Sequence, residues 1–233
     1  MNDMGQLVSP RQLAFALNYP ESYARDDFIA GPSNAAALAL IGSWPDWPNR
    51  IMALIGSEGS GKTHLASIWA SEIGARVIGA RSLGYIDIPA SLATGALVVE
   101  DLAAEDLNER SLFHLLNLAR EEGATLLVTG RAPPAGFLVE TRDLASRLRA
   151  IPVVTVSPPD DTLLRALIVK LASDRQVMMD EALVTYLITR IERSFAAARA
   201  AVRRLDEEAM RQKRPVTRAL AAELFRNGDN PLT

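Results

Sequence analysis

Apolar residues follow two different patterns along this chain, and the change between them falls at Pro158-Pro159. Before it, short continuous apolar runs alternate with stretches of helical period. The runs Ile51-Met52-Ala53-Leu54-Ile55, Ala75 to Ile78, Ala96-Leu97-Val98-Val99, Ala124 to Val128 and Pro152 to Val156 are brief and bounded by turn residues. Each predicts a strand buried on both faces. Between them, Ser33 is expected to cap a helix running to about Gly42. Leu65, Ile68, Trp69 and Ile73 mark a second helix, and Leu112, Leu115, Leu116 and Ala119 a third that Gly123 stops. A short helix around Asp143 to Leu148 precedes the fifth strand. Strands alternating with helices predict an α/β fold, a parallel five-stranded sheet with helices on both faces. Glycine and proline break any period from Arg81 to Thr94, which stays unassigned.

After the proline pair only helical stripes remain. Leu163, Leu164, Leu167, Ile168 and Leu171 form one, Leu183, Val184, Leu187, Ile188 and Ile191 a second, and Phe195, Ala198, Val202, Leu205 and Ala209 a third. Pro215-Val216-Thr217 starts a last short helix through Leu224. These predict a small all-helical domain joined by a proline hinge. The polar, proline-containing start of the chain reads as a tail. The expected division is a tail over 1–27, an α/β domain over 28–157 and a helical domain over 158–233.

Composition narrows the class. The chain has 233 residues, 48% hydrophobic and 23% charged, with a net charge of −3, as in a soluble globular protein of one or two domains. That balance supplies no overall attraction to nucleic acid or membrane. The absence of cysteine excludes disulfides and thiolate metal sites and agrees with a cytoplasmic protein. The start lacks the order of a signal peptide, and no apolar run is long enough to span a bilayer. Two histidines, His64 and His114, are too few for a histidine metal site, and His114 reads as an ordinary helix residue.

The chemistry is concentrated in Gly56-Ser57-Glu58-Gly59-Ser60-Gly61-Lys62-Thr63-His64-Leu65, which fits G-x-x-x-x-G-K-[ST] between a predicted strand and a predicted helix. Glycines let the backbone curl so that N–H groups of the loop, Ser60 and His64 included, face phosphate oxygens, and the helix start adds partial positive charge. Lys62 would reach the β- and γ-phosphates and the Thr63 hydroxyl would ligate Mg²⁺, with ADP or ATP as the nucleotide. Val98-Val99-Glu100-Asp101 is an apolar strand ending in two acids. Glu100 would hold the water shell of the metal and Asp101 would orient an attacking water. Since Glu stands where Asp is usual, weak intrinsic hydrolysis is expected. Thr129, at the end of the fourth strand, is placed to read the γ-phosphate.

A phosphate loop ending Gly-Lys-Thr-His-Leu, followed by an acidic strand, a threonine-ended strand and a helical lid, resembles the DnaA-like AAA+ ATPases. The segment from Asp27 to Asn34 is similar to that group's segment packed over adenine, which puts Phe28 and Ile29 at the base. Asp143-Leu144-Ala145-Ser146-Arg147-Leu148 resembles its arginine-finger segment, which selects Arg147 over Arg142 and Arg149. The group's lid arginine aligns with Ala196, flanked by Arg193 and Arg199, so the lid is expected not to read the γ-phosphate. DnaA continues into a DNA-binding domain, and none is expected after the lid here.

Gln12-Leu13-Ala14-Phe15-Ala16-Leu17 is similar to the peptide by which partners dock on the β sliding clamp of DNA polymerase III. Leu13, Phe15 and Leu17 would be apolar anchors and Gln12 a rim hydrogen bond. Gln6-Leu7 is a weaker start because Ser9-Pro10 interrupts it. The resemblance then implies a regulator that stimulates ATP hydrolysis by DnaA, touches DNA only through the clamp, has no membrane partner and can form a homodimer. Alternatives are a helicase loader, a transposition helper, or a non-catalytic adaptor stabilised by its nucleotide.

Overall fold

Five parallel strands pair in the order β2-β3-β4-β1-β5, in a computed structural model that describes residues 23–225. The strands are β1 Ile51–Ile55, β2 Arg76–Gly79, β3 Ala96–Leu102, β4 Thr125–Gly130 and β5 Val153–Thr155. Helix α1 (Ala35–Gly42) precedes β1 and α2 (Lys62–Ile73) follows it. The short α3 (Ile88–Leu92) follows β2, α4 (Glu109–Glu121) joins β3 to β4, and α5 (Arg142–Arg149) leads into β5. Placing β4 between β1 and β3 forces the chain after β1 to cross two strands before pairing again.

The runs of β1, β3 and β4 are continuous because both faces are covered there, while the edge strands β2 and β5, expected to be buried on both faces, stay largely exposed. Side chains alternate along a strand, so neighbours go to different cores. Leu97 and Val99 of β3 and Leu126 and Val128 of β4 pack with Leu115 and Leu116 of α4 and Leu144 and Leu148 of α5. Val98, Leu127, Met52 and Leu54 pack on the other face with Leu65, Ile68 and Trp69 of α2 and Ile41 of α1. A third core lies within α6 (Asp161–Asp174), α7 (Glu181–Ile188), α8 (Phe195–Gln212) and α9 (Arg218–Leu224). All three stripes foreseen in the lid face it, including Leu164, Leu187 and Leu205. Each lid helix is capped by its own side chain: Asp160, Asp180, Ser194 and Thr217 accept the N–H three residues on, satisfying a donor the helix leaves over. Among the described residues no helix is long and apolar enough to cross a membrane.

The observed elements depart from the sequence reading in four places. Asn34, not Ser33, holds the N-cap position of α1. Its buried side chain accepts from the Gly31 N–H at 2.9 Å and donates to the Ile29 carbonyl at 3.0 Å, so it serves the preceding loop and not the helix. The unassigned stretch after Arg81 contains a 3-10 turn, Ala80–Gly84, and the five-residue α3, both too short to show a period. β3 does not end in the two acids but runs one residue further, to Leu102. Residues 23–27, assigned to the tail, lie against the body, with a 3-10 turn at Arg25–Asp27.

Trp69 is fully buried and its ring stacks on Trp47, centroids 4.8 Å apart. Trp69→Ala is expected to lower the free energy of unfolding by about 3–5 kcal/mol, read by denaturant titration. A loss under about 1 kcal/mol would show that this core is not close-packed around the indole.

Candidate functional site

The phosphate-type loop curls off the C-terminal end of β1. The Gly56 N–H donates to Gly130 O at 3.1 Å, tying the loop's first residue to the end of β4. A Cβ at Gly56 would lie 2.3 Å from the Val156 carbonyl, so only glycine fits. Gly59, at φ +67, faces the lid: a Cβ there would lie 2.9 Å from the Ala196 methyl. Gly61, at φ +98, holds the N-cap position of α2. Ser60 is buried and its Oγ has no hydrogen-bond partner. The ammonium of Lys62, 7% exposed, donates to the Gly56 carbonyl at 2.9 Å and the Ser57 carbonyl at 2.8 Å. Burial holds its pKa below the ordinary lysine value, against the pull of Asp101.

The two acids and the threonine meet beside this loop. The Thr63 hydroxyl donates to the Glu100 carboxylate, and burial, the larger influence, raises the Glu100 pKa. The Oε1 of Glu100 is buried without a partner. Asp101 has φ +56, a strained conformation for a non-glycine residue, at the point where the β3–β4 register shifts. Its N–H leaves the ladder and donates to the Thr129 Oγ1 at 3.1 Å. Thr129 is fully buried, one residue before the end of β4. The phosphate-loop lysine, the hydroxyl of α2 and the polar ends of β3 and β4 are thereby gathered at one end of the sheet. Thr63 and Glu100 fit a hydrated divalent cation: the orphaned Oε1 is an acceptor awaiting a donor such as metal-bound water. Among the described residues no cluster of three metal-ligating side chains exists, so the remaining ligands would have to come from phosphate and water.

Beside the loop a cavity of about 180 Å³ opens between the two core regions. One wall is Tyr23, Asp27, Phe28 and Ile29; the floor is Lys62, Thr63 and His64; the other wall is Leu167 of α6 with Phe195, Ala196 and Arg199 of α8. Phe28 and Ile29 line this cavity, together with Asp27 and with Tyr23 from the stretch assigned to the tail. The lid is bonded to the loop directly: the Phe195 N–H donates to Gly59 O at 2.8 Å. Of the two arginines flanking Ala196, Arg193 pairs with Asp161 at 2.9 Å on the surface, and Arg199 lines the cavity. Helical spacing puts Arg199 one turn further from the loop than Ala196. Their common face with Phe195 was visible in the sequence as positions i, i+1 and i+4.

Arg147 is remote from all of this. It lies on α5, which enters β5 from the strands' N-terminal end, while the loop leaves β1 at the C-terminal end. Its guanidinium stacks 5.2 Å from the ring centroid of Phe113 on α4. A cavity of about 590 Å³ opens beside it, bordered by Arg50, Arg120, Asp143 and Ser146 over an apolar floor that includes Leu116 and Ile151. Phe113 was legible as the aromatic off the α4 stripe. Arg142 and Arg149 are exposed. His114 is an exposed helix residue. Gln12, Leu13, Phe15 and Leu17 lie outside the described residues.

No protein-family model matches the chain. It is 25% identical over 237 aligned positions to the chromosomal replication initiator protein DnaA of Thermomicrobium roseum, covering 89% of this chain. The chain spans about half the length of that relative, 50%. The structure is similar to domain III of Thermotoga maritima DnaA, with a TM-score of 0.72 and 19% identity over 88% of this chain and 96% of that one. It is also similar to AMPPCP-bound DnaA from Aquifex aeolicus, with a TM-score of 0.61 and 18% identity over 81% of this chain and 67% of that one. The chain thus has a DnaA-like AAA+ fold, that of domain III with its C-terminal helices.

The ammonium of Lys62 is the cation nearest the curled loop, and charge-assisted hydrogen bonds are worth about 1.5–3 kcal/mol. Lys62→Ala is expected to weaken adenine-nucleotide binding by about 10- to 100-fold in calorimetry. Unchanged affinity would place the nucleotide elsewhere.

Proposed function

We propose that this chain is an Hda-type negative regulator of DNA replication initiation, a DnaA-like AAA+ protein that binds adenine nucleotide and the sliding clamp and stimulates ATP hydrolysis by DnaA. The observation that carries the proposal is the separation of Arg147 from its own phosphate loop by the full length of the sheet. An arginine held at the far end can serve only a phosphate brought by another molecule. Phe113 keeps the guanidinium from wandering, so less entropy is lost when it engages. In the partner's site it would neutralise charge developing on the transferred phosphoryl group.

The chain's own nucleotide has a different role in this reading. AMPPCP in the Aquifex aeolicus DnaA supports ATP or ADP as the ligand here. Lys62 and the loop amides would hold the phosphates, and Phe28, Ile29 and His64 the base. Thr63 and Glu100 would hold Mg²⁺, which supplies charge neutralisation between the phosphates when bound. Asp101 would orient a water and Thr129 fix Asp101 through its N–H. With the longer Glu100 bonded to Thr63, and only a methyl at position 196 beside the loop, turnover by the isolated chain should be slow. The nucleotide would chiefly join lid to sheet. A purely structural nucleotide, as in a non-catalytic adaptor, is the second reading, favoured by the same two features.

Arg147→Ala should leave folding and clamp binding intact and reduce stimulation of DnaA-bound ATP hydrolysis by about a thousandfold. Arg147→Lys should also fail, because an ammonium cannot reproduce the two-pronged planar contact. The measurement is conversion of DnaA-bound ATP to ADP with clamp-loaded DNA present; full conversion by the alanine variant would assign the work to another residue or exclude activation.

The clamp contact is tested separately. Replacing Leu13 and Phe15 by alanine is expected to abolish binding to purified clamp while nucleotide affinity stays as it was. Equal clamp affinity for the double variant and the parent would remove the peptide from the proposal.

A further inference from the structure

The wall of the nucleotide cavity is also the root of the N-terminal peptide. Only residues 18–22 separate Leu17 from Tyr23, and Tyr23 is already a cavity residue. Residues 23–27 are held by discrete contacts that leave them partly exposed, whereas Phe28 and Ile29 pack on the two cores. The His64 Nε2 lies 2.9 Å from the Ala24 carbonyl, which makes that nitrogen the protonated one. The Tyr23 and Phe28 rings stand edge-on to the imidazole at 5.5 and 5.2 Å. Lys170 of α6 pairs with Asp27 at 2.7 Å, and Arg25 reaches Glu72 of α2 at 3.4 Å across the surface. The turn at Arg25–Asp27 buries no residue. A segment anchored this way has low local stability and opens before the cores do.

A nucleotide in the cavity would add buried contact to Tyr23 and Asp27 of that segment at once, beside the anchored Phe28 and Ile29. Any ligand that binds the closed arrangement and not the open one stabilises it by mass action. We propose that nucleotide occupancy latches Tyr23–Asp27 onto the body through His64, and so fixes where the N-terminal peptide is tethered. This rests on the nucleotide reading of the cavity given above, and not on the identity of the peptide's partner. With the latch closed, Leu17 can lie at most about 21 Å from Tyr23, six residues away. With Tyr23–Asp27 released, the tether extends to Phe28 and its reach grows to about 38 Å. The nucleotide thereby sets how far a partner held by the peptide can stray from the rest of the molecule. His64 is well placed to couple the two, because it directly follows the phosphate-loop threonine. Its ring contacts the segment at Tyr23, Ala24 and Phe28 and lines the cavity.

The chain lacks cysteine, so Asn18→Cys together with Ser71→Cys on the exposed side of α2 gives a unique spin-label pair on the full-length protein. Distances between the labels are measured with and without saturating ADP, with ADP binding followed by calorimetry on the same samples. ADP is expected to remove the long-distance part of the distribution. In Arg25→Ala and in Lys170→Ala, whose side chains lie outside the cavity wall, the long distances should persist with ADP bound. A distribution that ADP leaves unchanged, in protein shown to bind it, overturns the latch alone. Absence of ADP binding overturns the latch and the nucleotide reading together. Narrowing that survives both substitutions assigns the effect to something other than these contacts and overturns the proposal.

Discussion

Burial of both faces of the parallel sheet leaves its interior no place for chemistry. Leu97, Val98, Val99, Leu126 and Leu127 are at most 1% exposed, and a polar group among them would have no partner in reach. Functional side chains can stand only where the strands end. The C-terminal ends carry the loop, Glu100, Asp101 and Thr129; the N-terminal ends are bordered by α5 and Arg147. The proposed division of labour, with one nucleotide held at home and another attended abroad, follows from that polarity. A single molecule has one end for each and no path between them.

The second organising contact is between loop and lid. The Gly59 carbonyl accepts the first N–H of α8, and the Ala196 and Ser194 side chains close on Gly59 from above. An N–H left over at a helix start is satisfied by a carbonyl that a tight glycine turn leaves exposed, so each element completes the other. Side-chain size at position 196 therefore acts on loop geometry as well as on reach toward phosphate.

Much of this was legible in the sequence because the signals are local. A strand buried on both faces reads as a continuous apolar run, a lid helix as a stripe with its own capping residue, and the phosphate loop as fixed spacing. Every predicted strand exists: β1 has the expected ends, and no other end is shifted by more than three residues. What sequence could not supply were pairings between distant parts. The φ of Asp101 depends on Thr129, 28 residues away. The attachment of residues 23–27 depends on His64, 40 residues beyond Ala24, and their own composition says only that they are polar. Asn34 displaced Ser33 for a similar reason: both are good caps, and the loop's need for Asn34's two-sided amide decided between them.

Phe28 packs into the core of the sheet and Ile29, the next residue, into the core of the lid. One peptide unit thus carries two anchors pointing into different hydrophobic interiors, although the lid helices begin more than a hundred residues later. The lid is not a detachable appendage in the chain's own terms. A fragment beginning after Pro159 would contain all four lid helices and still lack the side chain that finishes their core, leaving an apolar notch open to water. Sequence boundaries drawn at the proline hinge would cut the molecule where its covalent path is thin and leave behind a piece of what keeps the helices folded.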